Sequence, residues 1–116
     1  MRLTWTLGKI VPMAAYVISE VETLDEEQMR RYRELASASI ARHDGRYLVR
    51  GAEPEVAEGE QFVGRRIVIV EFPDREQLDR WYRSAEYAEA LAVRDVALRR
   101  RLLFVDGVDD SLNPPA

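Results

Sequence analysis

The run Ile67-Val68-Ile69-Val70, inside Arg65 to Phe72 (RRIVIVEF), restricts the possible folds of this chain more than any other feature. It is apolar at consecutive positions, so neither side of an extended strand built from it is suited to water. A strand of this kind belongs in the middle of a sheet, with paired neighbours and with cover on both faces. Phe72-Pro73-Asp74 ends it, because proline cannot donate to a ladder.

The remaining elements are read around that strand. Ala14 to Val21 (AAYVISEV) is β-rich, with Tyr16, Ile18 and Glu20 on one side and Ala15, Val17, Ser19 and Val21 on the other. Thr23-Leu-Asp-Glu26 has capping-box spacing, and Met29, Tyr32, Leu35, Ala36, Ser39, Ile40 and His43 then recur at helical intervals. This predicts a helix from about Asp25 to Arg42, with Gly45 taking the left-handed position after it. Arg46 to Arg50 (RYLVR) is a second strand, which Gly51-Ala52-Glu53-Pro54 stops or bends. Glu55 to Gly64 suits an exposed connection. Asp74 caps a helix carrying Leu78, Trp81 and Tyr82, and the last two serve helix core and dimer packing or else a ligand-stacking platform. Ser84 is a fresh cap, so the helical region breaks there before running to about Arg94 or beyond, and Arg101 to Val105 is the last strand.

The order β-α-β-β-α-β predicts an α+β fold of the ferredoxin-like type, a four-stranded antiparallel sheet with its helices on one face. The other face would leave rows of Ile and Val in water, and a second copy pairing sheet to sheet is the simplest cover. A homodimer is therefore expected. The domain spans residues 13–106, after an extension at 1–12 and before a polar tail at 107–116. Leu3, Trp5 and Leu7 alternate within the extension, so two readings of it stand: an upstream-start addition, or an arm that adds a strand to a neighbour.

Charge and composition exclude several function classes. Twenty-one acids against 17 bases give a net charge of −4, which argues against nucleic acid as a partner. All of the bases are arginine except Lys9. No apolar run approaches the roughly 20 residues of a membrane span, and residues 1–12 lack the apolar core of a secretory signal. Cysteine is absent, which removes disulfides, thiolate nucleophiles and cysteine-held metals and agrees with the cytoplasm.

The segments MAAYVISEVE, HDGRYLVRGAEPEVAEGE, RRIVIVEFPD and WYRSAEYAEALAVR, and within them GRYLVRG, VEFP and WYxSxEY, resemble the bacterial family called domain of unknown function 1330. The likeness covers Met13 to about Asp106. It implies the dimeric α/β-barrel superfamily, which also holds cofactor-free monooxygenases, muconolactone isomerases, polyketide cyclases and haem enzymes. Fold and dimer follow from the resemblance more firmly than activity does, since one fold hosts many sites. Where the family often has paired glycines around the second strand, this chain has Asp44-Gly45 and Gly51-Ala52.

Candidate chemistry follows from the expected order of strands, fourth-first-third-second. Tyr16, Tyr47, Glu71 and the helix-terminal His43 then come to one end of the sheet. Glu71 alternates with Ile67 and Ile69, so it is a candidate general acid or a fixed anion in an apolar cavity, or else an ion-paired strand end. His43, the single histidine, is a candidate base or a cation stabilising the helix C-terminus. Arg50 is a candidate clamp for a substrate carboxylate, or a salt-bridge partner of Glu20 across the sheet. Tyr87 and Arg94, seven residues apart on one helix face, line a pocket mouth or seal an interface. One histidine without cysteine or an HExxH pattern offers no metal site, and glycines that occur singly form no phosphate loop, so no cofactor is expected.

Two functions remain open at this point. One is a cofactor-independent small-molecule enzyme of isomerase, cyclase or monooxygenase type, with Glu71 or His43 moving a proton and Arg50 or Arg94 orienting the substrate. The other is a non-catalytic dimeric module for ligand binding or stress. An apolar cavity of several hundred cubic ångströms with convergent polar groups favours the first.

Overall fold

A computed structural model describes residues 3–6 and 9–109, with side chains from residue 13 onward. The elements are β1 (Leu3–Thr6), β2 (Lys9–Pro12), β3 (Ala15–Thr23), α1 (Glu26–Arg42), β4 (Arg46–Ala52), β5 (Arg66–Phe72), α2 (Arg75–Tyr82), α3 (Ala85–Ala97) and β6 (Leu98–Asp106). Four strands form an antiparallel sheet in the order β4-β5-β3-β6, the ferredoxin-like arrangement expected from the sequence. The first two strands pair with each other as a separate antiparallel sheet. Leu7 and the side chains of Leu3 and Trp5 lie outside what is described.

Alternation along β3 sorts the sheet into two faces. Ala15, Val17, Ser19 and Val21 are buried under the helices with Val70 and Phe72 of β5 and Leu98 of β6. The helices close this core with Met29, Tyr32, Ala36 and Ile40 from α1, Leu78 and Trp81 from α2, and Tyr87, Ala90 and Ala97 from α3. Buried polar atoms here are largely paired: the Trp81 indole donates to Ser39 Oγ at 2.9 Å, and Ser39 in turn donates to the Ala36 carbonyl at 2.7 Å. On the opposite face Val49, Ile69, Ile18 and Leu103 stand in register across all four strands. Ion pairs flank that apolar row: Arg101 to Glu20 at 2.9 Å and Arg99 to Glu22 at 3.2 Å on one side, Arg46 to Glu71 at 2.7 Å on the other.

Local boundaries differ from the sequence reading in four instructive places. The cap of α1 is Asp25, whose carboxylate accepts from the Gln28 amide, because Thr23 is still paired within β3 opposite Leu98. After α1 it is Asp44, at φ 63°, that takes the left-handed position, while Gly45 does not. The Gly45 amide reaches the Ile40 carbonyl at 2.9 Å and the Asp44 amide the Ala41 carbonyl at 3.3 Å, a Schellman closure. Gly45 is needed for space: a Cβ there would lie 2.7 Å from Phe72 Cε1 and 2.8 Å from Ile40 Cγ2. β4 runs on through Gly51 to Ala52, with register shifts between Tyr47 and Val49 and between Arg50 and Ala52. Finally, β6 starts at Leu98, three residues before the expected start at Arg101, because pairing with the far end of β3 holds the arginine triplet extended.

Candidate functional site

Between α1 and the helix-covered face of the sheet lies a cavity of about 500 Å³. Its floor is Val17, Ser19 and Val21 of β3, Val68 and Val70 of β5, and Leu102 of β6; Met29, Tyr32, Ala36 and Ile40 of α1 form the roof. Ser19 and Ala36 stand where larger apolar side chains would fill the space. The volume is in the range of small-molecule sites, and the walls are mainly aliphatic.

Into that apolar space the middle residue of the arginine triplet is turned. Arg99 and Arg101 face the other side and meet glutamates, whereas Arg100 lines the cavity. Its Nη1 donates to the Tyr32 hydroxyl at 2.7 Å and its Nη2 to the Tyr87 hydroxyl at 2.8 Å. The two hydroxyls are 2.6 Å apart. Burial pushes the Tyr87 phenol well above its ordinary value, helped by neighbouring Tyr32 and opposed by Arg100. Burial also works against the charge of Arg100, but the two tyrosine oxygens outweigh it, so the group stays a guanidinium. Among the described residues no carboxylate pairs with Arg100. Ser19, 5% exposed and in the floor, has a hydroxyl with no hydrogen-bond partner among the described residues.

The rim adds more positive charge. Arg33, Arg50 and Arg66 line it with one acid, Glu26. The first register shift of β4 sets Arg50 opposite Val68 and Tyr47 opposite Val70, both partners on the cavity side. Unbroken alternation would have put Tyr47 and Arg50 on opposite faces. The Arg50 guanidinium instead lies 4.2 Å over the Tyr47 ring, and Arg66 Nη1 donates to the Gly51 carbonyl at 3.3 Å. Burial raises the Tyr47 pKa, with Arg50 opposing and Tyr87 adding to the rise.

The residues nominated from sequence are thus divided by the sheet. Tyr47 and Arg50 line the cavity. Tyr16 and Glu71 are opposite each other at the same end of the sheet but on its other face, and Glu71 is bound by Arg46. The Glu71 side does alternate with Ile67 and Ile69, yet the cavity lies under Val68 and Val70. Glu20 pairs with Arg101 and, at 3.6 Å, with Arg65, so it is not the partner of Arg50. His43 is the C-cap of α1, outside the cavity lining, with Nε2 3.8 Å from Glu86. Glu86 is held below the usual carboxylate range, first by its own backbone N–H in the opening turn of α3 and also by His43 and Arg42. Tyr87 is wholly buried behind the cavity wall, and Arg94 bonds its neighbour Asp95 at 3.0 Å, so these two do not share a pocket mouth. Sequence reading missed Ser19, Tyr32 and Arg100. Only the uncommon Arg triplet was a signal.

Among the described residues no group of three or more His, Cys, Asp or Glu is placed to hold a metal. No helix among them is long and apolar enough to cross a membrane.

Residues 14–108 match the family described as domain of unknown function (DUF1330). No curated protein matches at a significant level. Among solved structures, a protein of unknown function from Rhodopseudomonas palustris is similar with a TM-score of 0.70 at 17% identity, covering 84% of each chain. SnoaB, a cofactor-independent oxygenase from Streptomyces nogalater, has a TM-score of 0.56 at 8% identity over 87% of this chain and 99% of that one. A dimeric protein of unknown function and ferredoxin-like fold from Bacteroides fragilis has a TM-score of 0.57 at 16% identity over 83% and 98%. At these identities the likeness is one of fold.

Proposed function

Since this chain belongs to the family described as domain of unknown function (DUF1330), we propose a function read from the cavity itself: a small-molecule enzyme that needs no cofactor and holds an oxygenated substrate in the apolar space between α1 and the sheet. The observation that carries this reading is the cavity of about 500 Å³ whose apolar interior is lined by Arg100 and Tyr32 as well as by aliphatic and aromatic side chains. Donors fixed in a water-poor site stabilise charge as it develops on a substrate oxygen, the step shared by enolisation, cyclisation and oxygenation of activated carbon acids. SnoaB, described as a cofactor-independent oxygenase, has a similar fold, which supports the assignment to this class.

In this reading two copies pair through the open faces of their sheets. The in-register row Val49, Ile69, Ile18 and Leu103 supplies the apolar contact, and Leu103 is 37% exposed without a partner copy. The Bacteroides fragilis neighbour, described as dimeric, supports this assembly.

A second reading has one specific observation behind it. The carboxylate that lines the cavity, Glu26, is exposed at its rim, and Glu71 and His43 are not in the lining, which favours a binding module over proton-transfer chemistry. A metabolite-library thermal-shift screen on the wild type and Ala36→Phe separates the possibilities. Hits that stabilise the wild type and not the filled variant support the cavity, and their consumption in a proton NMR time course with catalytic protein supports the enzyme. Binding without consumption assigns the module, and hits that stabilise both proteins equally reject the cavity.

A further inference from the structure

Resting on that cavity reading and narrowing it, we infer that the ligand is a singly charged organic oxyanion, a carboxylate or enolate on an apolar body, bound by Arg100 and the Tyr32 hydroxyl.

The argument begins with a count of protons. Tyr32 and Tyr87 carry one hydroxyl proton each, and both oxygens accept from Arg100. A single proton occupies the 2.6 Å contact between them, so one phenol keeps a proton that no described residue accepts. Tyr87 is 0% exposed and does not line the cavity, whereas Tyr32 does. The arrangement that strands no buried donor has Tyr87 donating to Tyr32, and Tyr32 donating into the cavity.

The same count applies to the guanidinium. Of its five N–H groups two go to the phenols, and among the described residues no carboxylate takes the others. A partly buried cation left without an anion favours a ligand that brings one. Neighbouring Arg99 and Arg101 each have a glutamate, so within the triplet it is the residue in the cavity that has none among the described residues. Arg33, Arg50 and Arg66 at the rim add a field that draws anions inward. The aliphatic floor of Val17, Val21 and Val70 offers nothing to a second charge, which argues for one anionic group and an apolar remainder.

The test uses matched acid and amide probes of equal shape: benzoate with benzamide, phenylacetate with phenylacetamide, and 2-naphthoate with 2-naphthamide. Binding is measured by isothermal titration calorimetry on the wild type, Arg100→Met, Arg100→Lys, Tyr32→Phe and the cavity-filling Ala36→Phe. In at least one pair the acid is expected to bind the wild type at least tenfold more tightly than its amide. That preference falls severalfold in Tyr32→Phe, partly survives in Arg100→Lys and disappears in Arg100→Met, while Ala36→Phe weakens acid and amide alike. Amides binding as tightly as acids overturn the inference and leave the cavity reading intact. An acid preference that persists in Arg100→Met moves the anion to the rim arginines and also overturns it. Probes that bind the wild type and Ala36→Phe equally, or no probe binding at millimolar concentration, overturn the cavity reading and this inference together. If Arg100→Met fails to fold, Tyr32→Phe and the wild-type acid-to-amide ratio decide the matter.

Discussion

The hydroxyls of Tyr32 and Tyr87, 55 residues apart along the chain, lie 2.6 Å from each other and share one guanidinium, that of Arg100. This contact ties α1, α3 and β6 together at the cavity wall. It makes the polar part of the cavity wall a structural element.

Tyr87→Phe removes the wholly buried oxygen of the pair, leaving an Arg100 N–H unsatisfied, and should lower stability by about 1–3 kcal/mol. Tyr32→Phe, at the cavity wall, should cost less. The double variant should depart from the sum of the single ones, because both phenols share Arg100. Urea unfolding of the four proteins measures this, and a Tyr87→Phe midpoint equal to that of the wild type would refute the shared network.

Alkaline pH should unfold the protein through the same residues. Tyr87 and, more weakly, Tyr47 hold their protons above the ordinary phenol value of 10.0, so above that pH the unfolded chain binds fewer protons than the folded one. Stability is then full below pH 10 and falls as pH rises toward the folded values, with a slope of at most about 1.4 kcal/mol per pH unit for each tyrosine. Denaturant midpoints across pH 9 to 11 should drop in the wild type and flatten in Tyr87→Phe. A parallel fall in both would assign the loss to other groups.

Gly45→Ala should destabilise the protein and Asp44→Gly should not, although the residues are adjacent. The added methyl meets Phe72 and Ile40 inside 3 Å, an overpacking worth about 1–3 kcal/mol of destabilisation. Asp44→Gly relieves a residue at φ 63° and loses only an exposed hydrogen bond from Gln77, so it should be neutral or stabilising. Thermal melts of the two variants check the pair. A destabilised Asp44→Gly beside an unaffected Gly45→Ala would contradict the turn geometry.

Ile69→Glu places a carboxylate in the middle of the open-face row, between Ile18 and Val49. In a dimer paired through that row the charge is buried without a partner, at a cost of several kcal/mol. Light scattering should show dissociation to the 13.4 kDa chain or loss of fold. A wild type that already scatters as one chain, or a variant that stays dimeric, would rule out this interface.

From Ala15 onward the sequence by itself determined the elements and their order, because periodicity and caps are local properties, whereas the pairing of β1 with β2 was not read from it. The apolar run in β5 announced a central strand, the alternation in β3 assigned its faces, and Asp74 and Ser84 cap α2 and α3 by accepting from the Gln77 and Tyr87 amides. Only the tertiary structure decided which polar residues meet. Arg50 shares a face with Tyr47 because of a register shift in β4, which no residue type announces. Glu71 has the alternation predicted for it, but the cavity opened on the other face, where the packing of α1 left room. Arg100 turns inward because α3 stops at Ala97 and β6 begins at Leu98, a boundary held by the Leu24 amide on the Ala97 carbonyl at 2.9 Å. One residue of shift there would send Arg100 to the open face and Arg99 or Arg101 to the cavity. A site assembled from three elements depends on such registers, and registers are set by contacts between distant segments.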